Sequence, residues 1–79
     1  MEKEALKHLI TNIVDHPEDV RVRSSHMRDG GEMLRVHVNL EDIGRVIGRS
    51  GRTATALRTV IQAVSDHHTR IDIADVRHR

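Results

Sequence analysis

Near the middle of the 79-residue chain stand Gly48 and Gly51, separated only by Arg49 and Ser50, with Arg45 before them and Arg52 after. These residue types at this spacing suit one kind of chemistry, the grip of an anion. Two residues without a Cβ let the backbone turn sharply and approach a ligand closely. Arg49 and Arg52 bring full positive charges, and Ser50 brings a hydroxyl donor. A helix opening directly behind the loop would add its first free N–H groups and its dipole, both of which favour negative charge. The natural ligand of such a loop is a phosphate within a chain. A plain capped turn between two helices needs one glycine and no arginines, so it explains the pattern less well.

The charge distribution points the same way. The net charge is only +1, but between Ile43 and Ser65 there is no acidic residue, while Arg45, Arg49, Arg52 and Arg58 all fall there. The first nineteen residues hold Glu2, Glu4, Asp15, Glu18 and Asp19. A local basic stripe on a near-neutral chain is the footprint of a phosphate-bearing partner.

Other chemistries fit poorly. Gly51 is followed by Arg52 and Thr53, without the lysine and spacing of a nucleoside-triphosphate loop. A dinucleotide fingerprint would follow a strand, and the pattern before Gly48 is helical. Seven histidines invite a metal, and His67–His68 is the obvious pair. Neighbouring side chains on a helix diverge by about 100°, so they chelate poorly, and no metal or cofactor is expected. There is no cysteine to form a disulfide or a thiolate site. No nucleophile–base constellation can be argued, so no enzymatic activity is expected.

The elements that must hold the loop can be read from periodicity. Leu6, Leu9, Ile10, Ile13 and Val14 repeat at helical spacing and predict an amphipathic helix over residues 2–15, ended by Pro17. Its role is to cover one side of a sheet; its mixed polar face, lacking a large anchor, does not suit a membrane surface. Val20 and Val22 alternate with Arg21 and Arg23, which predicts an edge strand over 19–28. Asp29, Gly30 and Gly31 supply a hairpin turn. Leu34, Val36 and Val38 then face in, with Arg35, His37 and Asn39 facing out, on an antiparallel partner strand. Arg21, Arg23, Arg35 and Arg70 are expected on the open sheet face, solvated or at a dimer contact rather than on the phosphate-bearing partner.

Asn39 can cap a short helix, with Asp42 completing a shortened capping box and Leu40, Ile43 and Val46 or Ile47 inward. Gly48 stops it. A second helix begins near Arg52, with Leu57, Val60, Ile61 and Val64 as its apolar stripe, and 66–68 close it. Residues 69–73 alternate as a last strand with Ile71 and Ile73 inward, and 74–79 read as a frayed tail. The expectation is a single two-layer α+β domain over 1–79, with three helices on one face of a three-stranded sheet. At this length the core is thin. The complete lack of Phe, Tyr and Trp makes that core aliphatic and disfavours any ligand that needs an aromatic stacking platform. No apolar run approaches a membrane span and no signal peptide is visible, so a cytoplasmic location is expected.

At this point a resemblance becomes specific. The unit Val46-Ile47-Gly48-Arg49-Ser50-Gly51-Arg52 between two helices resembles the core of a KH domain. Two strands before it and one after resemble the bacterial type II order, α-β-β-α-GxxG-α-β. The wider run over 41–54, followed by Leu57-Arg58-Thr59-Val60, and the run over 16–20, are similar to the small single-KH proteins of bacteria, the KhpA-like family. The resemblance implies that Gly48, Arg49, Ser50, Gly51 and Arg52 clamp about four nucleotides of single-stranded RNA. It implies an aliphatic groove for the bases, walled by Ile47, Ala54 and the strand at 36–38. Arg45 and Arg58 are expected as flanking phosphate contacts. The family further implies an RNA chaperone or post-transcriptional regulator, acting as a homodimer or with a larger KhpB (Jag-like) KH partner. The competing reading is a protein-interaction or dimerisation module of the same fold.

Overall fold

The computed structural model describes residues 2–75. Helix α1 spans Glu2–Thr11, strand β1 Arg21–His26, strand β2 Glu32–Val38, helix α2 Ile43–Ile47, helix α3 Arg52–Val64 and strand β3 Thr69–Asp75. Single 3-10 turns precede β1 at Pro17–Asp19, precede α2 at Leu40–Asp42, and link α2 to α3 at Arg49–Gly51. The strands form one sheet in the order β1-β2-β3. β1 pairs antiparallel with β2, with Val22 opposite Val36. β2 pairs parallel with β3, with Val36 beside Ile73. The three helices share one face of this sheet, in the expected two-layer α+β arrangement.

Alternation explains the packing. Val22 on β1, Leu34, Val36 and Val38 on β2, and Ile71 on β3 all point to the helices and are buried. Leu6 and Ile10 of α1, Val46 of α2, and Leu57 and Ile61 of α3 meet them from above. Every member of this core is aliphatic, as the composition requires. Parallel neighbours need a crossover of a dozen residues or more. Between β2 and β3 that crossover carries α2 and α3, which puts Gly48 and Gly51 at its midpoint.

The structure corrects several expectations. Helix α1 stops at Thr11, well before Pro17. Thr11 Oγ1 donates to the Lys7 carbonyl at 2.6 Å and Asn12 Nδ2 to the His8 carbonyl at 2.8 Å, occupying acceptors of the last turn. Val14 still packs against the core, but from the connection rather than from the helix. Pro17 instead opens a 3-10 turn, where its fixed φ and missing N–H cost nothing. β1 is confined to Arg21–His26, and the Met27 amide closes the hairpin on the Gly31 carbonyl at 2.8 Å.

Asn39 does cap: its Oδ1 accepts from the Glu41 amide at 2.8 Å. Asp42 does not complete a capping box, because its side chain is buried and turned towards the α1–β1 connection. Leu40 is 46% exposed rather than inward. On α3 the inward stripe is Ala54, Leu57 and Ile61, while Val60 and Val64 are 47% and 64% exposed. His37 is buried although it lies on the open side of the sheet. β3 continues to Asp75, so Ala74 and Asp75 belong to the sheet and not to a tail. The rest of the expected tail, 76–79, lies outside the described residues. Among the described residues, no helix is long and apolar enough to cross a membrane.

Candidate nucleic-acid interface

The loop is built from the backbone outwards. α2 lasts five residues and closes when the Gly48 amide donates to the Gly44 carbonyl at 2.8 Å. Gly48 then adopts φ 79° and ψ 172°, a region open essentially to glycine alone. A Cβ there would lie 2.7 Å from both the amide nitrogen and the Cβ of Thr53. The loop therefore folds directly onto the first turn of α3. Gly51 is left-handed at φ 75° and ψ 12°, and it serves as the N-cap of α3 without a side-chain cap. Ser50 is also left-handed, at φ 56°, and is the single non-glycine residue with positive φ among the described residues.

This geometry leaves donors pointing outwards. The Gly51 amide is used on the Gly48 carbonyl at 3.1 Å. Among the described residues, the amides of Arg49 and Ser50 make no backbone hydrogen bond. Successive free amides in a turn form an anion-binding concavity. Behind them α3 starts with Arg52, and its first turn holds no acidic residue to offset the positive end of the dipole. Arg49, Ser50 and Arg52 are exposed, and Arg49, Arg52 and Arg58 form no ion pair among the described residues. The loop is thus a cluster of uncompensated positive charge and free donors.

The other expected site residues separate into two groups. Ile47 is 39% exposed beside the loop, and Leu40 of the preceding 3-10 turn is also exposed. Arg58 is exposed on α3, two turns beyond the loop. Arg45 is exposed too, but its Nη1 lies 3.4 Å from Asp15 Oδ1, so it is partly neutralised. The expected apolar wall is not presented. Ala54 is 4% exposed and Val36 and Val38 are fully buried, because Ala54 shares the inward stripe of α3 and the two valines face the helices. Of the expected wall, Ile47 alone is open.

Two features escaped the sequence reading. Thr53 shapes the loop by packing over Gly48. Asp42, at the start of α2, clamps the α1–β1 connection. Its carboxylate accepts from the Asp15 amide at 3.1 Å, the His16 amide at 3.0 Å and His16 Nδ1 at 3.1 Å. Burial pushes this carboxyl up, but the Asp15 amide and the His16 imidazole and amide together outweigh it and hold it below the ordinary range. The same hydrogen bond raises His16, against a smaller opposing effect of burial. An isolated Asp in a capping context carries no signal of such a long-range role.

A second cluster lies at the other end of the sheet. Glu2, Glu32 and His67 bring one potential ligand atom each within 4.8 Å of one another. His67 Nδ1 lies 2.8 Å from Asp66 Oδ1, and Nε2 lies 3.1 Å from Glu32 Oε1. Asp66 and then Glu32 raise the imidazole, which favours the protonated form. With a carboxylate on each ring nitrogen, His67 ties β2 to the α3–β3 connection. His68 is exposed and is not part of it.

With this geometry described, comparison with known proteins is decisive. The family model for the KhpA/KhpB KH domain matches residues 3–74. The chain belongs to the KhpA/KhpB KH-domain family. A KH domain is a nucleic-acid-binding module and not an enzyme. This KhpA/KhpB-family chain is similar to the RNA-binding protein KhpA of Streptomyces coelicolor, 51% identical over 78 residues, covering 99% of this chain and 98% of that protein. It is 56% identical over 72 residues to the RNA-binding protein KhpA of Leifsonia xyli, covering 90% of this chain and 93% of that one. The KhpA of Mycobacterium tuberculosis is 47% identical over 72 residues, covering 91% of this chain and 89% of that one. No solved structure matches the KhpA/KhpB-family chain.

Proposed function

We propose that the chain binds single-stranded RNA through residues 48–52, with the backbone phosphates held at the loop and the α3 N-terminus. The observation that carries this reading is the pair of free amides at Arg49 and Ser50, set between two arginines on an uncapped helix start. The relatives' name, RNA-binding protein, supports it from outside the structure. Arg58 and, once released from Asp15, Arg45 extend the phosphate path. Ile47 and Leu40 offer the apolar contact for bases. Without aromatic stacking, worth about 1–3 kcal/mol per base where it exists, affinity and sequence selectivity are modest. We further read the role as that of a cytoplasmic RNA chaperone or post-transcriptional regulator.

A second reading has one observation in its favour. Val60 and Val64 form an exposed apolar strip on α3, which suits a protein contact. It fits pairing with another copy or with a KhpB-type protein, whose name stands beside KhpA in the family's own. A footprint of about four nucleotides gains from such pairing, since a second site raises avidity without new contacts.

The test is an amide-shift titration of short single-stranded RNA into isotope-labelled protein. Shifts centred on 48–53, lost in Arg49→Asp/Ser50→Asp with the spectrum still folded, are expected. Aspartate tolerates the left-handed backbone at position 50, so this variant keeps the loop. With about three phosphates neutralised, log affinity should fall with log salt at a slope of about −2. Silent loop amides, or a flat salt response, would remove the phosphate clamp and leave the interaction module.

A further inference from the structure

The helix-free face of the sheet holds an unusual set of side chains. Strand register places Arg21, His37 and Ala74 in one row across the three strands. The next row is Arg23, Arg35 and Asp72, and the third is Ser25, Met33 and Arg70. Alternation puts all nine on the side away from the helices. The four arginines and Asp72 are exposed. Four charges of one sign thus face a single carboxylate.

Ordinary solvation does not explain this bias, since an open face kept soluble uses mixed signs. Edge protection covers Arg21 and Arg23 on β1 and Arg70 on β3, but not Arg35. Arg35 lies on the central strand, opposite Arg23. Like charges directly across an antiparallel pair destabilise the sheet. Asp72 relieves the pair only on one side, at 3.3 Å from Arg35 Nε. Arg21 Nη1 is engaged by the Glu18 and Val20 carbonyls at 3.0 and 3.2 Å. Arg23 and Arg70 form no hydrogen bond or ion pair among the described residues. The sheet carries a repulsive arrangement that its own contacts do not offset.

We propose that this face is a second RNA contact, one that engages backbone phosphates beyond the reach of the loop and reads no sequence. The proposal rests on the reading that the chain takes RNA at 48–52. All four cations are arginine, whose planar fork holds phosphate in two-pronged fashion, and none is lysine. Residues two apart on a strand are about 6.6 Å apart, and adjacent strands about 4.8 Å, so the guanidinium groups form a flat lattice suited to a repeating anion. The lack of any aromatic residue leaves no base-stacking platform on this face. α2 follows β2 at its Val38 end, the end at which the Arg21 row lies.

The test compares tetrauridine with an oligouridine of about thirty nucleotides, each titrated into the wild-type chain and into Arg23→Gln/Arg70→Gln. Both substituted side chains are exposed, so the variant keeps its fold. Tetrauridine should bind wild type and variant equally. The long RNA should bind the variant about fivefold to tenfold more weakly at about 50 mM salt, with a salt slope shallower by about 1.4, or 0.7 per lost contact. In the wild type, strand amides near Arg23, Arg35 and Arg70 should shift with the long RNA and not with the short one. Unchanged long-RNA affinity and slope would overturn the proposal. So would a variant that changes the sedimenting mass but not RNA binding, which would make the face a protein contact. Failure of the loop reading shows separately, as tetrauridine binding that survives Arg49→Asp/Ser50→Asp.

Discussion

Replacing Gly48 with alanine should remove much of the domain's stability, whereas Gly51→Ala should be mild. The two glycines have similar φ, 79° and 75°, so backbone preference alone would treat them nearly alike. They differ in ψ and in surroundings. At Gly48, ψ is 172°, and a Cβ would meet the Thr53 hydroxyl and approach the Thr53 amide nitrogen and Cβ to 2.7 Å. A hydroxyl can rotate away, but the amide belongs to the first turn of α3 and cannot move alone. The sparse backbone region costs about 1–3 kcal/mol and the forced repacking about the same again, for a total of about 2–6 kcal/mol. A domain of this size has about 4–12 kcal/mol in all, at 0.05–0.15 kcal/mol per residue. At Gly51 a Cβ meets nothing within 4 Å. Only the left-handed conformation matters there, at about 1–2 kcal/mol; alanine's stiffer unfolded chain returns about 0.4–1 kcal/mol in both variants alike and cancels in the comparison. Urea unfolding of the two variants should differ by about 2 kcal/mol or more, or roughly 8 °C in Tm. Adding Thr53→Ala to Gly48→Ala removes the hydroxyl contact and leaves both contacts at 2.7 Å, so it should recover little. Equal stability of the two single variants, or full rescue by Thr53→Ala, would refute the close approach of loop and helix.

Two further outcomes are expected. Ile61→Ala and Leu34→Ala, both at fully buried positions, should each cost about 2–5 kcal/mol in denaturant unfolding, while Val60→Ala, 47% exposed, should stay within about 0.5 kcal/mol unless the α3 strip is covered by a partner. Stability should fall as pH rises above about 6.5: Asp42 raises His16, and Asp66 and Glu32 raise His67, so their contribution is complete below the unfolded value of 6.5 and is lost as pH climbs through the folded values. Glu32, Asp42 and Asp66 are lowered and contribute in the opposite sense, losing theirs as pH falls below their ordinary 4.5 and 3.8. Urea midpoints should therefore peak in mildly acidic solution, and His16→Gln/His67→Gln should flatten the decline on the alkaline side.

Periodicity made most of the architecture legible. Leu34, Val36 and Val38 alternate without interruption, and the hairpin turn at Asp29, Gly30 and Gly31 is where the chain reverses. The errors arise where one residue serves two periodicities or none. On α3, Val60 and Val64 share helical spacing with Leu57 and Ile61, and hydrophobicity favours them over Ala54. The structure buries Ala54 with Leu57 and Ile61 and leaves Val60 and Val64 exposed. At α1, Ile13 and Val14 continue the stripe although the helix has ended, because a connection can deliver apolar side chains to a core as well as a helix can. Pattern counts burial, and burial does not require helix.

The loop was legible for a different reason. Its glycines answer to backbone geometry, and positive φ at Gly48 and Gly51 is a demand that few other residues meet. Its arginines answer to charge, which no packing requirement explains. Asp42 and Thr53 were not legible because their roles exist only across sequence distance or in the detail of a turn. Asp42 satisfies the amides of Asp15 and His16, some twenty-six positions away, and Thr53 fills the space that Gly48 leaves. Both act on the same segment from opposite ends. Asp42 anchors the start of α2 to the α1–β1 connection, and Thr53 anchors the end of the loop to α3. The five-residue α2 is too short to hold itself, since isolated helices below about 12 residues are marginal. The loop is therefore held in place by these two contacts rather than by helix propensity. The residues that set the donor geometry are not those that carry the charge.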